Sequence, residues 1–142
     1  MLAGCLLATG LIAGAGGCVP RGYDPQLAAD PYPAARHLTG SRDIQLFRDG
    51  PDATIFNATV QPYRNARLWL NQRWVREIPD LEPGGSISIS LEGFRDELGE
   101  QFVAGGFFRT ERTTPIVLAQ IEVDSEPTLV GLEVIGPVLE ER

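Results

Sequence analysis

The sequence predicts an all-β domain, a single antiparallel β-sandwich of about seven to eight strands over residues 42–137. Three observations predict it. From Asp43 onwards, short apolar runs recur at hairpin spacing, separated by Gly, Pro, Asn and Asp. One of them, Ser86-Ile87-Ser88-Ile89-Ser90-Leu91, alternates strictly, which is the period of a strand. Roughly eight such runs fit within about 95 residues, the density of a small β domain rather than of a helical one.

The elements follow in order. Ile44, Leu46 and Phe47 form the first strand, closed by the turn signal Asp49-Gly50-Pro51-Asp52. Ala53 to Val60 is the second, with Ile55 and Phe56. It contains Asn57-Ala58-Thr59, a glycosylation sequon that is read here as coincidence, because the motif has meaning only in the right compartment. Arg67 to Ile78, RLWLNQRWVREI, reads as a hairpin about Asn71-Gln72, although Leu70, Trp74 and Ile78 also have helical spacing. Glu82-Pro83-Gly84-Gly85 is a turn. In the next strand Ile87, Ile89 and Leu91 share one face and the serines the other. Gly93 to Glu100 is a polar connection with Phe94 as a core plug. Gln101 to Phe108 is a further strand, with Gly105-Gly106 marking a bulge or a close approach. Arg109 to Thr114 is a charged loop. Ile116 to Val123 and Thr128 to Ile135 are the last strands, and residues 138–142 an acidic tail.

Ahead of the domain lie two segments of different character. Leu2 to Cys18 carries no charge, has an apolar centre at Leu6, Leu7, Leu11 and Ile12, and ends in small residues. It reads as a signal segment over residues 1–17, except that the basic start is missing; the true start is expected upstream of Met1. Residues 19–41 hold Pro20, Pro25, Pro31 and Pro33. Proline fixes φ and removes a donor, so with Cys18 this stretch is expected to be a tether without a core of its own. His37 lies in it and is expected to be a solvated linker residue with no partner nearby.

Composition restricts the chemistry. The formal charge is −7, all of the basic side chains are arginine, and every charge follows Cys18. An acidic chain repels phosphate backbones, which argues against nucleic acid as a partner. Both cysteines, Cys5 and Cys18, precede the domain, and there is one histidine, so no thiol-histidine metal set and no Ser-His-Asp device is expected in it. No cofactor is expected. The densest acidic cluster, Glu92, Asp96, Glu97 and Glu100, reads first as a solvated loop, then as a calcium site, and last as a catalytic carboxylate pair.

The sharper candidate is the hairpin. With a two-residue turn at Asn71-Gln72, Trp69 faces Trp74 and Arg67 faces Arg76, while Leu68 and Val75 share the other face. That places two tryptophans flanked by arginines on one surface, suited to stacking a sugar or docking a protein. The competing arrangement is a longer turn, which shifts the register and sends one tryptophan into the core, or arginines that stack on the rings and cover them.

Ala15-Gly16-Gly17-Cys18 resembles a bacterial lipobox, in which small residues precede a cysteine that is lipidated and becomes the first residue of the mature protein. Ala15 stands where that family usually has Leu. Leu2-Ala3-Gly4-Cys5 matches the motif better locally but has no apolar region before it, so Cys18 is preferred, and an earlier start would reopen the choice. The resemblance implies a membrane link through the N-terminal lipid, and Val19 in place of Asp implies the outer membrane, facing the periplasm. The domain is similar in size and pattern to immunoglobulin-like and fibronectin-type-III-like sandwiches, without their paired cysteines. The expectation is a non-enzymatic envelope lipoprotein whose domain binds another envelope component or serves structurally. The alternative is a glycan-binding module using Trp69 and Trp74.

Overall fold

A computed structural model describes residues 23–106 and 112–136. The signal segment, Cys18, the tip of the charged loop and the acidic tail lie outside the described residues. The domain is all-β. Its strands are β1 (Ile44–Asp49), β2 (Asp52–Asn57), β3 (Ala66–Leu70), β4 (Trp74–Ile78), β5 (Ser86–Ser90), β6 (Ala119–Glu122) and β7 (Val130–Ile135). They form one sheet in the order β4-β3-β6-β7-β1-β2-β5. The sheet curls nearly into a barrel rather than splitting into the two packed layers of the expected sandwich. It is also mixed, because β1 and β7 run parallel, with Leu46 opposite Val134.

The curl follows from where the apolar side chains point. Ile44 and Leu46 of β1, Ala53 and Ile55 of β2, Leu68 and Leu70 of β3, Ile89 of β5 and Ile121 of β6 alternate inward and share one core. Leu91 and Phe94, with Phe102, fill its end, so the expected plug at Phe94 is in place. The gap between the outer strands is partly bridged at that end. Val75 of β4 and Arg95 exchange backbone hydrogen bonds of 2.9 and 3.3 Å, and Arg76 Nη1 donates to the Ser90 carbonyl at 2.7 Å.

Several boundaries differ from the sequence reading. β2 ends at Asn57 because the Asn57 side chain is wholly buried and turns the chain. Its Oδ1 accepts from the Thr59 N–H and hydroxyl, and its Nδ2 donates to the Gln61 carbonyl at 2.7 Å. A carboxamide used at both ends is a structural residue and not an exposed sequon. Residues 102–106 are not a strand. The chain there is held by Arg48, which donates to the carbonyls of Thr114 at 2.5 Å and Ala104 at 2.9 Å and lies over the Phe102 ring. Burial pulls the Arg48 guanidinium below its ordinary pKa. Gly105 does make the close approach, since a β-carbon on it would meet the Thr113 methyl.

The parallel pair brings residues 40–42 across β7. Arg42 N–H donates to the Gly131 carbonyl at 2.9 Å, and a β-carbon at Gly131 would collide with the Gly40 carbonyl oxygen. Gly131→Ala is therefore expected to cost about 2 kcal/mol, the scale of forced overpacking against backbone, read as a lowered urea midpoint. An unchanged midpoint would show that the crossing can shift freely. The Tyr63 hydroxyl is buried with no partner among the described residues. Tyr63→Phe is expected to leave stability unchanged or raise it by up to about 1 kcal/mol, because it removes an unpaired polar group while keeping the ring.

Candidate functional site

The most developed constellation sits on the outer face of β3, β4 and β6, under residues 24–37. These residues belong to the stretch expected to be a tether without a core of its own, in which the sequence left open whether Tyr23 and Tyr32 fold back on the domain. They form a strap on the sheet. Asp24 N–H donates to the Gly99 carbonyl at 3.0 Å, Ala29 N–H to the Asp96 carbonyl at 2.9 Å, and the Arg36 carbonyl accepts from Leu129 N–H at 2.7 Å. The prolines do not prevent this docking. They shape two short 3-10 turns, Pro25–Leu27 and Ala34–Arg36, the first capped by Asp24, whose carboxylate accepts from Gln26 N–H. Gly99 has φ +82°, and a β-carbon there would strike the Asp24 carbonyl, so the strap rests on a position only glycine suits.

Under the strap lies a second apolar cluster of Trp69, Val75 and Leu129, covered by Ala29 and Tyr32. The Tyr32 and Trp69 rings meet edge to face at 5.3 Å. Beside them is the Glu122 carboxylate, almost wholly buried. Its Oε1 accepts from Arg36 Nη1 at 2.7 Å, and its Oε2 from Trp69 Nε1 at 2.7 Å and Arg67 Nη2 at 3.0 Å. Arg67 also donates to Asp30 on the strap at 2.6 Å. That hydrogen bond, with the further pull of Glu122, outweighs partial burial and raises the Arg67 pKa above its ordinary value. Arg36 Nη2 reaches the Val123 and Glu126 carbonyls, both at 2.7 Å. The strap is thus tied to β3 and β6 by alternating charges.

The tryptophan–arginine stripe does not form. Asn71 and Gln72 are both left-handed, at φ 52° and 57°, as a hairpin turn requires, but Arg73 joins the loop. The register becomes Leu70 opposite Trp74, Trp69 opposite Val75, Leu68 opposite Arg76 and Arg67 opposite Glu77. One extra residue sends the two tryptophans to opposite faces. Trp69 is 1% exposed under the strap and Trp74 is 9% exposed in the main core. Arg67 lies over Trp69, Arg73 over Trp74 and Arg76 over Phe94, so the arginines cover rings rather than frame a stacking platform. Trp69, Trp74, Arg67 and Arg76 are therefore not brought together as a binding face.

Arg73 is held in the loop by the acidic cluster. Asp96, 1% exposed, accepts from Arg73 Nε at 2.9 Å and Nη2 at 2.8 Å, and from the N–H groups of Leu98 at 3.0 Å and Glu100 at 2.7 Å. Glu100 pairs with the same guanidinium. Asp96 is thus a saturated structural anchor rather than a solvated loop residue. Among the described residues no three His, Cys, Asp or Glu side chains converge as a metal site. Between strap and hairpin turn opens a shallow cleft of about 390 Å³, walled by Pro31, Tyr32, Gln72, Arg73 and Asp96. At its edge His37 is exposed but not partnerless, as its Nδ1 lies 2.7 Å from the Tyr32 hydroxyl, which also donates to Gln120 at 2.6 Å. Burial raises the Tyr32 pKa.

Arg36, Glu122 and Arg73 carried no motif in the sequence. The one cue was Trp69 itself, an indole on the outer face of a strand, which calls for a cover. Comparison with protein families, curated proteins and solved structures found no match.

Burial alone pushes the Asp96 carboxyl up, but Arg73 and the two backbone donors outweigh it, and its pKa lies below the ordinary carboxylate value. A depressed folded pKa adds stability above the unfolded value of about 4 and loses it as pH falls through the folded one. Asp96→Asn is expected to cost about 1 to 2 kcal/mol at neutral pH, less than a fully buried pair because Arg73 is half exposed. It should also flatten the acid limb of a stability–pH profile from urea midpoints. An acid limb as steep as that of the parent protein would remove Asp96 as its source.

Proposed function

We propose that this chain is a lipid-anchored protein of the bacterial cell envelope, whose β domain is a non-enzymatic docking or structural module at the membrane surface. The observation that carries the reading is Ala15-Gly16-Gly17-Cys18 closing an uncharged apolar stretch. The geometry of the domain supports it in two ways. The most buried charged groups, Glu122 and Asp96, have their oxygens engaged by donors that hold strap, sheet and turn together. Chemistry that needs a free acid or base is poorly served by such groups. The strap is docked from Tyr23 onwards, where it bridges Glu100, so an anchor at Cys18 keeps the domain close to its attachment point. Five peptide units separate Cys18 from Tyr23, a reach of at most about 18 Å.

Val19 after the cysteine favours the outer membrane in this reading, with the domain in the periplasm. The partner fitted to it is another envelope protein. The glycan alternative rested on the tryptophan pair, and the burial of both rings removes its platform.

Intact-mass analysis of the protein extracted from bacterial membranes is expected to show a mature chain that begins at acylated Cys18. Cys18→Ser should abolish that mass and leave the precursor unprocessed. A mature chain that begins elsewhere without lipid would overturn the anchor, and acylation at Cys5 would move it.

A further inference from the structure

We propose that β5 is a self-association edge, at which a second copy of this chain adds its own β5 antiparallel about a two-fold axis through Ser88. The inference does not depend on the lipid anchor. Among the described residues β5 is the last strand of the sheet and pairs only with β2. Asn57 N–H donates to the Gly85 carbonyl and Leu91 N–H to the Pro51 carbonyl, so the backbone groups of Gly85 and Leu91 face β2. With the alternation of a strand, those of Ile87 and Ile89 do so too, and those of Ser86, Ser88 and Ser90 face away from it. Arg76 occupies the Ser90 carbonyl. The N–H and C=O groups of Ser86 and Ser88 have no partner strand among the described residues. Both serines are exposed.

Unpaired edges are a template for another strand, and proteins usually blunt them with proline, lysine, an inward charge or a bulge. β5 has none of these. The other outer strand of the sheet, β4, is covered by the Arg95 bridge and carries Arg76 and Glu77. β5 reads Ser-Ile-Ser-Ile-Ser, the same in both directions. That palindrome selects the occupant. Antiparallel self-pairing centred on Ser88 puts Ser88 opposite Ser88 of the second copy, Ser86 opposite Ser90, and Ile87 opposite Ile89. Every serine then meets a serine on the outer face, and every isoleucine an isoleucine on the inner one. No charge lies within the strand, so the two-fold brings no like charges together there. The Ser88 pair exchanges two backbone hydrogen bonds, and Ile87, half-buried in one copy, gains cover from Ile89 of the other.

The test uses the full chain in dilute detergent with Cys5→Ser and Cys18→Ser. A Ser88→Cys substitution carries a nitroxide label, and Val60→Cys, at a fully exposed loop position, is the control. A hydrogen-bonded antiparallel pair holds its Cα atoms about 5.5 Å apart, so the label at position 88 should broaden strongly on raising concentration and the control should not. Sedimentation should show a monomer–dimer equilibrium weakened about tenfold by Ser88→Pro. The Ser88 N–H faces away from β2, and proline is tolerated at such an edge position, so circular dichroism should be unchanged. If Ser88→Pro does not fold, Ser88→Lys places two cations at the axis and should weaken the dimer likewise. A wild-type monomer at all concentrations, or equal broadening at both labels, or a dimer indifferent to Ser88→Lys, would overturn the proposal.

Discussion

The Glu122 carboxylate holds this structure's outer face together. A carboxylate taken out of water is costly unless its lone pairs are filled by charged donors, and removing one donor leaves the rest uncompensated. Here three donors come from two places: Arg36 from the strap, and Arg67 and the Trp69 indole from β3. The strap therefore does more than lie on an apolar patch. Without Arg36 the carboxylate loses one of its two cations, and without Ala29 and Tyr32 the Trp69 ring loses its cover. Docking of the strap and integrity of the β3–β6 pair become one cooperative unit. For the same reason β3 and β6 are buried almost throughout, although the barrel interior needs only alternate residues.

Most strands were legible because their period is local; the one expected over Gln101 to Phe108 does not form across residues 102–106. Alternation in Ser86–Ser90, the turn at Gly50-Pro51, and the Asn71-Gln72 reversal all lie within a few residues of what they control. The sheet's closure was not legible, because it depends on pairings far apart in sequence. The parallel register of Gln45 with Glu133, and the bridge from Val75 to Arg95, leave no periodic trace in either partner. An antiparallel sandwich and a curled mixed sheet present the same alternating runs. Which one forms is decided by whether the first strand meets the last. The glycine at position 131 permits that meeting by leaving room for the Gly40 carbonyl.

The candidate site failed at one residue. Asn71 and Gln72 have the left-handed geometry of a two-residue hairpin turn, yet Arg73 is drawn into the loop. Its guanidinium has an acidic socket in Asp96 and Glu100 and a ring face in Trp74. Nothing near Arg73 in sequence signals a socket more than twenty residues away. The strap was missed for a related reason. Proline-rich composition argues against regular hydrogen-bond ladders, but not against docking through single carbonyls, side-chain charges and rings. At Asn57, by contrast, burial with both ends of the amide engaged supplies a physical reason against use as a sequon, beside the one drawn from compartment.

Docking also changes what an N-terminal anchor would mean. Residues 19–41, fully extended, would span about 70 Å at the rise of a polyproline helix. With the strap bound from Tyr23, which bridges to Glu100, the same anchor would leave a reach of at most about 18 Å. The first length would let the domain sample a wide volume with any face presented. The second would confine it beside the bilayer, with the Asp24–Gly99 end nearest the attachment. Copies confined to one plane would meet at a higher effective concentration than copies free in solution, which would shift the same monomer–dimer equilibrium toward the pair. With such an anchor the strap would link the attached end of the chain to its free edge: by shortening the tether it would narrow the orientations in which two β5 strands have to find each other.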